Sequence, residues 1–244
     1  MRACLSKSPP SPEPEVSLWT GNLDALSASE LTSLHELLDK AERERAARFH
    51  FEKDRQHYIA ARGWLRELVA DKLGTSPASI QFAYGAHGKP AVAQRAPDGR
   101  TLHFNLSHSA GSAMIACAWE REVGIDLEST LRLAPDDAHL SALAGRILSP
   151  REFDLWRELP DAAARHAAFL RAWTRKEAYA KATGAGVFDG LREIEVILDA
   201  ALPQPSLTIV PSADHAPSRW TIHDLAAPDG FAAALAVAQL PATR

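Results

Sequence analysis

Residues 102–129 read LHFNLSHSAGSAMIACAWEREVGIDLES, three short apolar runs separated by turn residues. Runs of this length, bounded by Gly and charged residues, indicate antiparallel strands. The middle of the chain is therefore expected to be a sheet. The texture changes on both sides of it. Upstream, SASELTSLHELLDKAERERAARF (27–49) carries Leu31, Leu34, Leu37 and Leu38 at helical spacing and predicts a helix starting near Ser27 or Ser29; EKDRQHYIAARGWLRELVADKLG (52–74) predicts a second, ending at Gly74. Downstream, helical periodicity returns in LAGRIL (143–148), SPREFDLWREL (149–159) and residues 161–183. Strand patterns follow in EIEVILD (193–199), SLTIVP (206–211) and RWTIHDL (219–225), with GFAAALAVAQL (230–240) closing a hairpin through APDG. Helices then strands, occurring twice, is an α+β order of two similar halves, although no repeat between them is evident residue by residue.

Bulk properties exclude several classes. With 244 residues, 46% of them hydrophobic, the chain can fill a real core, and a net charge of −4 argues against a protein that coats nucleic acid or anionic membrane. Two cysteines, Cys4 and Cys117, make neither a disulfide framework nor a zinc cluster, which fits a reducing cytoplasm. The first fifteen residues are rich in Pro, Ser and Glu and are expected to be a disordered tail. They hold no signal-peptide core, and no apolar stretch approaches the ~18 residues of a membrane span.

The chemistry-bearing residues fall in four places. In EVGIDLES (122–129), Asp126 and Glu128 project from one strand face, opposite Val123, Ile125 and Leu127. Paired hard oxygen donors suit Mg²⁺ when phosphates and water supply its other ligands; the competing reading is the solvated face of a strand. In WTRKEAYAKATG (173–184), the apolar stripe of Phe169, Leu170 and Trp173 continues onto Lys176, Glu177, Ala180 and Lys181. Burying such charges requires partners; the competing reading is an exposed Glu177–Lys181 pair. GAHGKP (85–90) puts Lys89 after a Gly-rich turn, but Pro90 rules out a Walker loop. In NLSHS (105–109), Ser107 and His108 point to opposite sides of an extended chain and cannot form a nucleophile–base pair; with no G-x-S-x-G elbow, a serine hydrolase is disfavoured.

Together, GKP (88–90), FNLSHS (104–109), GIDLE (124–128), WTRKEAYAKATG (173–184) and the earlier ARFHFEKDRQHYIAARGWLR segment resemble the Sfp-type 4′-phosphopantetheinyl transferases of the holo-acyl-carrier-protein synthase superfamily, over roughly residues 40–190. The resemblance implies a monomer of two pseudo-symmetric α+β halves, each a small antiparallel sheet packed with helices. In such a chain residues 16–119 form the N-terminal half, contributing to coenzyme A binding, and residues 120–244 the C-terminal half, holding the metal site and catalytic helix. It implies transfer of the phosphopantetheine arm of coenzyme A to a serine of an apo acyl or peptidyl carrier protein, with Mg²⁺ or Mn²⁺ and release of adenosine 3′,5′-bisphosphate. Asp126, Glu128 and Glu177 would hold the metal, and Glu177, Lys181 and Glu152 would be the catalytic set. Arg45, Arg62, Lys89, Ser107, His108, Lys176 and Lys181 would hold coenzyme A. The chain departs from the family pattern at Leu148, where an aromatic precedes the serine in relatives, and at His57, where some relatives carry an arginine. A non-catalytic coenzyme A-binding module remains the alternative, and a metal-dependent phosphohydrolase would demand a richer His and Asp cluster.

Overall fold

The computed structural model describes residues 4–13, 15–131, 137–185, 190–196, 208–209 and 220–239. Two compact units divide the chain after Glu120. The first contains β1 (Leu5–Lys7), β2 (Val16–Asn22), α1 (Ala28–Leu37), α2 (Lys40–Ala47), α3 (Glu52–Leu73), β3 (Phe82–Tyr84), β4 (Pro90–Val92), β5 (Leu102–Ser109) and β6 (Ser112–Trp119). Its sheet has the order β1-β2-β6-β5, all antiparallel, and β3-β4 is a separate hairpin. The core sets Trp19, Phe104 and Ile115 of the sheet against Leu34, Trp64 and Leu65 of the helices. Cys117 lies on β6, between Ser17 of β2 and Phe104 of β5, and burial pushes its thiol up to about 12.

Two expectations need correction here. The first fifteen residues are not disordered throughout: Leu5–Lys7 pair with Trp19–Gly21 of β2, and Leu5 is buried. An apolar residue gains ladder bonds and burial at an open sheet edge, which a Pro/Ser-rich composition does not reveal. The single helix read over 27–49 is two. Ser27 caps α1 in a capping box with Glu30, and Asp39 caps α2 in another with Glu42. The second box satisfies a fresh set of N-terminal amides, so the helix ends at Leu37 and restarts at Lys40.

The second unit contains β7 (Val123–Ser129), α4 (Asp137–Ile147), α5 (Pro150–Arg157), α6 (Ala162–Thr183), β8 (Ile194–Glu195), β9 (Thr208–Ile209), β10 (Trp220–Asp224) and β11 (Phe231–Ala238). Its sheet is β10-β11-β7, with β8-β9 as a separate hairpin. The remainder of the strands expected over 193–199 and 206–211 lies largely outside the described residues.

The topology of the first unit recurs in the second. Leaving aside the edge strand β1, which has no counterpart among the described residues of the second unit, a strand (β2 or β7) leads in each through three helices and a two-stranded hairpin to two final strands, and the last strand sits between the other two. The likeness reaches single residues at an offset of 110 positions. α3 and α6 are both 22 residues long and end at a left-handed glycine, Gly74 and Gly184. Eight residues before each glycine stands a fully buried cation, Arg66 or Lys176. Each cation bonds a buried glutamate 24 residues earlier, the capping-box residue of the preceding short helix: Arg66 Nε to Glu42 at 2.6 Å, Lys176 Nζ to Glu152 at 2.5 Å. Each also reaches main-chain carbonyls, of Pro77 and Ile80 for Arg66 and of Ile147 and Leu191 for Lys176. One ionic lock therefore ties long helix to short helix in both units.

Candidate active site

The face that β7 turns toward α6 is set by Gly124. A Cβ there would lie 2.1 Å from the Ala178 carbonyl oxygen and 2.4 Å from the Ala182 nitrogen, so only glycine admits the helix this close. Opposite Gly124 and Asp126 across the ladder stand Ala236 and Ala234 of β11, which keep the same face shallow. By strand alternation Asp126 and Glu128 share that face with Gly124. Glu177 and Lys181, each one residue before Ala178 and Ala182, meet them there: Lys181 Nζ donates to Asp126 Oδ1 at 2.6 Å.

Both competing readings from sequence fail on burial. Asp126 is 2% and Glu177 3% exposed, so neither a solvated strand face nor a surface Glu–Lys pair describes them. Glu177 Oε1 is buried without a hydrogen-bond partner among the described residues. Burial, then Asp126, push the Glu177 carboxyl up to about 7, with Lys181 opposing and Glu128 adding a smaller push. The arrangement is an acidic pocket with one lysine, able to hold a proton near neutrality or to accept a cation. Among the described residues no three His, Cys, Asp or Glu side chains form a ready-made metal cage.

Two expected site residues are elsewhere. Lys176 is fully buried, and its three ammonium protons go to Glu152, Ile147 O and Leu191 O. Glu152, expected to be catalytic, is 3% exposed and accepts from Lys176 and from the amides of Ser149 and Val196. Lys176 has no proton left for substrate, and both oxygens of Glu152 hold bonds within the unit; adjacent residues on a helix point about 100° apart, so Lys176 faces the α4–α5 side while Glu177 faces β7. The pattern Ser149-x-x-Glu152 is itself a capping-box signature, and it could have marked Glu152 as structural. Sequence reading also missed Arg175, which makes two 2.7 Å bonds to Asp224 and fixes α6 against β10.

In the first unit, Ser107 is buried and His108 exposed on β5, facing opposite ways as expected. Arg45 lies in the last turn of α2, exposed, with its guanidinium 5.5 Å from the Tyr58 ring centre. Lys89 is half-buried at the β3–β4 turn. Arg62 donates to Glu42 and to the Tyr84 hydroxyl, both at 2.5 Å. His57 is held by Asp24 at 2.8 Å, which lowers the Asp24 carboxyl.

Residues 122–236 match the model of the 4′-phosphopantetheinyl transferase superfamily, and residues 25–120 match that of the 4′-phosphopantetheinyl transferase N-terminal region. The 4′-phosphopantetheinyl transferase HetI of Nostoc sp. is 41% identical over 224 residues, covering 92% of this chain and 88% of the relative. The chain belongs to the 4′-phosphopantetheinyl transferase superfamily. Its activity is accordingly phosphopantetheinyl transfer from coenzyme A to a carrier protein. A further phosphopantetheinyl transferase relative is the human L-aminoadipate-semialdehyde dehydrogenase-phosphopantetheinyl transferase, 31% identical over 159 residues, or 63% of this chain and 50% of the relative. A solved holo-(acyl-carrier-protein) synthase from Bacillus anthracis, in complex with coenzyme A (3′,5′-ADP), is 26% identical and covers 48% of this chain and 94% of that one, with a TM-score of 0.35. Among the described residues no helix is long and apolar enough to cross a membrane.

Proposed function

We propose that this phosphopantetheinyl transferase works through the acidic pocket of β7 and α6, with a divalent metal, Mg²⁺ or Mn²⁺, held by Asp126, Glu128 and Glu177. The observation that carries the reading is Glu177, a buried carboxylate with an unbonded oxygen, whose proton affinity is raised by burial first and by neighbouring Asp126 second. A fold gains nothing from such a group, whereas a cation would satisfy it. Mg²⁺ needs only one or two carboxylates when substrate phosphates complete its shell. When bound, it would neutralise charge on the pyrophosphate oxygens.

The chain's own residues do the rest. The carrier serine hydroxyl attacks the phosphorus of the phosphopantetheine arm, the bond to the nucleotide phosphate breaks, and adenosine 3′,5′-bisphosphate leaves. Glu177, the buried carboxylate facing Asp126, takes the serine proton as general base. Lys181, which holds Asp126 here, turns its ammonium to the growing charge on the leaving phosphate. Lys89, His108 and Arg45 of the first unit supply charge-assisted bonds to coenzyme A phosphates, while Ser107 is buried on the opposite face of β5 from His108. The enzyme acts as a cytoplasmic monomer on a soluble acyl or peptidyl carrier.

The test is intact-mass analysis of apo carriers after incubation with the enzyme and coenzyme A. One phosphopantetheine should appear per carrier, vanish with chelator and return with Mg²⁺. Undiminished transfer in excess chelator would remove the metal from the reading, and full transfer by a folded Asp126→Ala variant would remove the pocket.

A further inference from the structure

The two ionic locks differ in how they engage the adjacent hairpin, and the difference assigns a role to Tyr84. In the second unit, Glu152 spends one oxygen on Lys176 and gives the other directly to the hairpin: Val196 N, just beyond β8, donates to Glu152 Oε1 at 2.5 Å. In the first unit, Glu42 likewise gives Oε2 to Arg66, but its Oε1 receives Arg62 Nε at 2.5 Å. Arg62 then extends the connection, donating through Nη2 to the Tyr84 hydroxyl at 2.5 Å and lying 4.1 Å from the Phe82 ring centre. Both aromatic residues belong to β3. Arg62 thus replaces the main-chain amide of the other unit as the tie between lock and hairpin.

This tie is placed at the root of the turn that presents Lys89. Tyr84 pairs with Pro90 in the ladder, and the turn between them closes through Gly85 N to Lys89 O at 3.0 Å and Gly88 N to Gly85 O at 2.9 Å. The β3–β4 ladder has only three residue pairs, and a two-stranded hairpin of this size does not hold its own geometry in water. Tyr84 is also 53% exposed, so burial does not fix its ring. Phe82 packs on Phe104 and Val92 is buried in the core, but at the turn end of β3 the Tyr84 hydroxyl bond to a guanidinium seated on a buried carboxylate is the tie to the lock.

We propose that Tyr84, through Arg62, is a positioning residue that fixes the β3–β4 turn so that Lys89 meets a coenzyme A phosphate; this rests on the assignment of Lys89 made above. Arg62 then serves coenzyme A by orienting the hairpin rather than by binding it.

A double-mutant cycle in the full-length enzyme tests the route, with coenzyme A affinity read by calorimetry and turnover by carrier mass. Tyr84→Phe removes one oxygen from an exposed ring and should leave the melting temperature as in wild type. It should weaken coenzyme A binding about 3- to 10-fold, the net scale of one ordinary intramolecular hydrogen bond, and raise KM more than it lowers kcat. In a Lys89→Ala background the same change should add nothing, because residues acting as a unit are not additive. If Tyr84→Phe is silent while Lys89→Ala binds weakly, the positioning role is overturned and the Lys89 assignment stands. If Lys89→Ala binds as wild type does, that assignment falls and the route through it falls too. A Tyr84→Phe effect that persists in full without Lys89 overturns the proposal as well.

Discussion

Glu177→Gln should lower the transfer rate by at least ~10²-fold while making the metal-free protein more stable above neutral pH. The two effects share one cause. Glu177 is buried against Asp126 and Glu128, and its carboxyl is pushed from 4.5 to about 7. Between those values the unfolded chain has lost this proton and the folded chain has kept it, so the native state binds more protons and stability falls as pH rises. The loss begins near pH 4.5, is complete just above 7, and is on the order of 3 kcal/mol. Glutamine cannot ionise, so the variant should lack this pH dependence. Urea unfolding of both proteins in chelator, from pH 5 to 8.5, measures the difference. Parallel stability curves together with near-wild-type transfer would mean that Glu177 is neither strained nor catalytic.

Lys176→Met should cost ~3–5 kcal/mol of stability, because Glu152 would remain buried and charged without its partner. Two carbonyls, of Ile147 and Leu191, would lose a donor at the same time. Adding Glu152→Gln should recover part of the loss, since a neutral side chain is less costly to bury unpaired. Transfer per folded molecule, measured well below the melting temperature, should fall far less than in Glu177→Gln. The opposite pattern, with stability intact and turnover lost, would return Lys176 to the substrate. Denaturant unfolding paired with single-turnover assays separates the two.

Much of this architecture was legible before any coordinates. Gly74 and Gly184 stop the two long helices where their periodicity ends, and the alternation in VGIDLES correctly put Asp126 and Glu128 on one face. What escaped was non-local. Leu5 is ordered by β2, which begins eleven residues later in sequence, and Lys176 finds Glu152 across 24 residues. The two similar halves were expected from the order of helices and strands, but their residue-level correspondence escaped because it resides in a few spaced residues rather than in a similar string. Moreover, the units have diverged in the pocket proposed for the chemistry. At the offset of 110, Glu177 answers to Glu67, but Lys181 answers to Asp71, so the lysine that engages Asp126 has no counterpart in the first unit.

Cys117 gives the first unit a built-in reporter. Held between β2 and β5, with its thiol pushed up to about 12, it offers no thiolate to an alkylating reagent while the sheet is closed. Cys4, half-buried beside β1, is the accessible sulfur. A maleimide should therefore label the native chain once at a fast rate and a second time only when the sheet parts. The rate of that second event, followed by mass, reads the opening free energy of residues 1–120 directly. Coenzyme A that binds this unit should slow it, whereas equal labelling rates with and without coenzyme A would mean that the ligand does not stabilise the closed sheet.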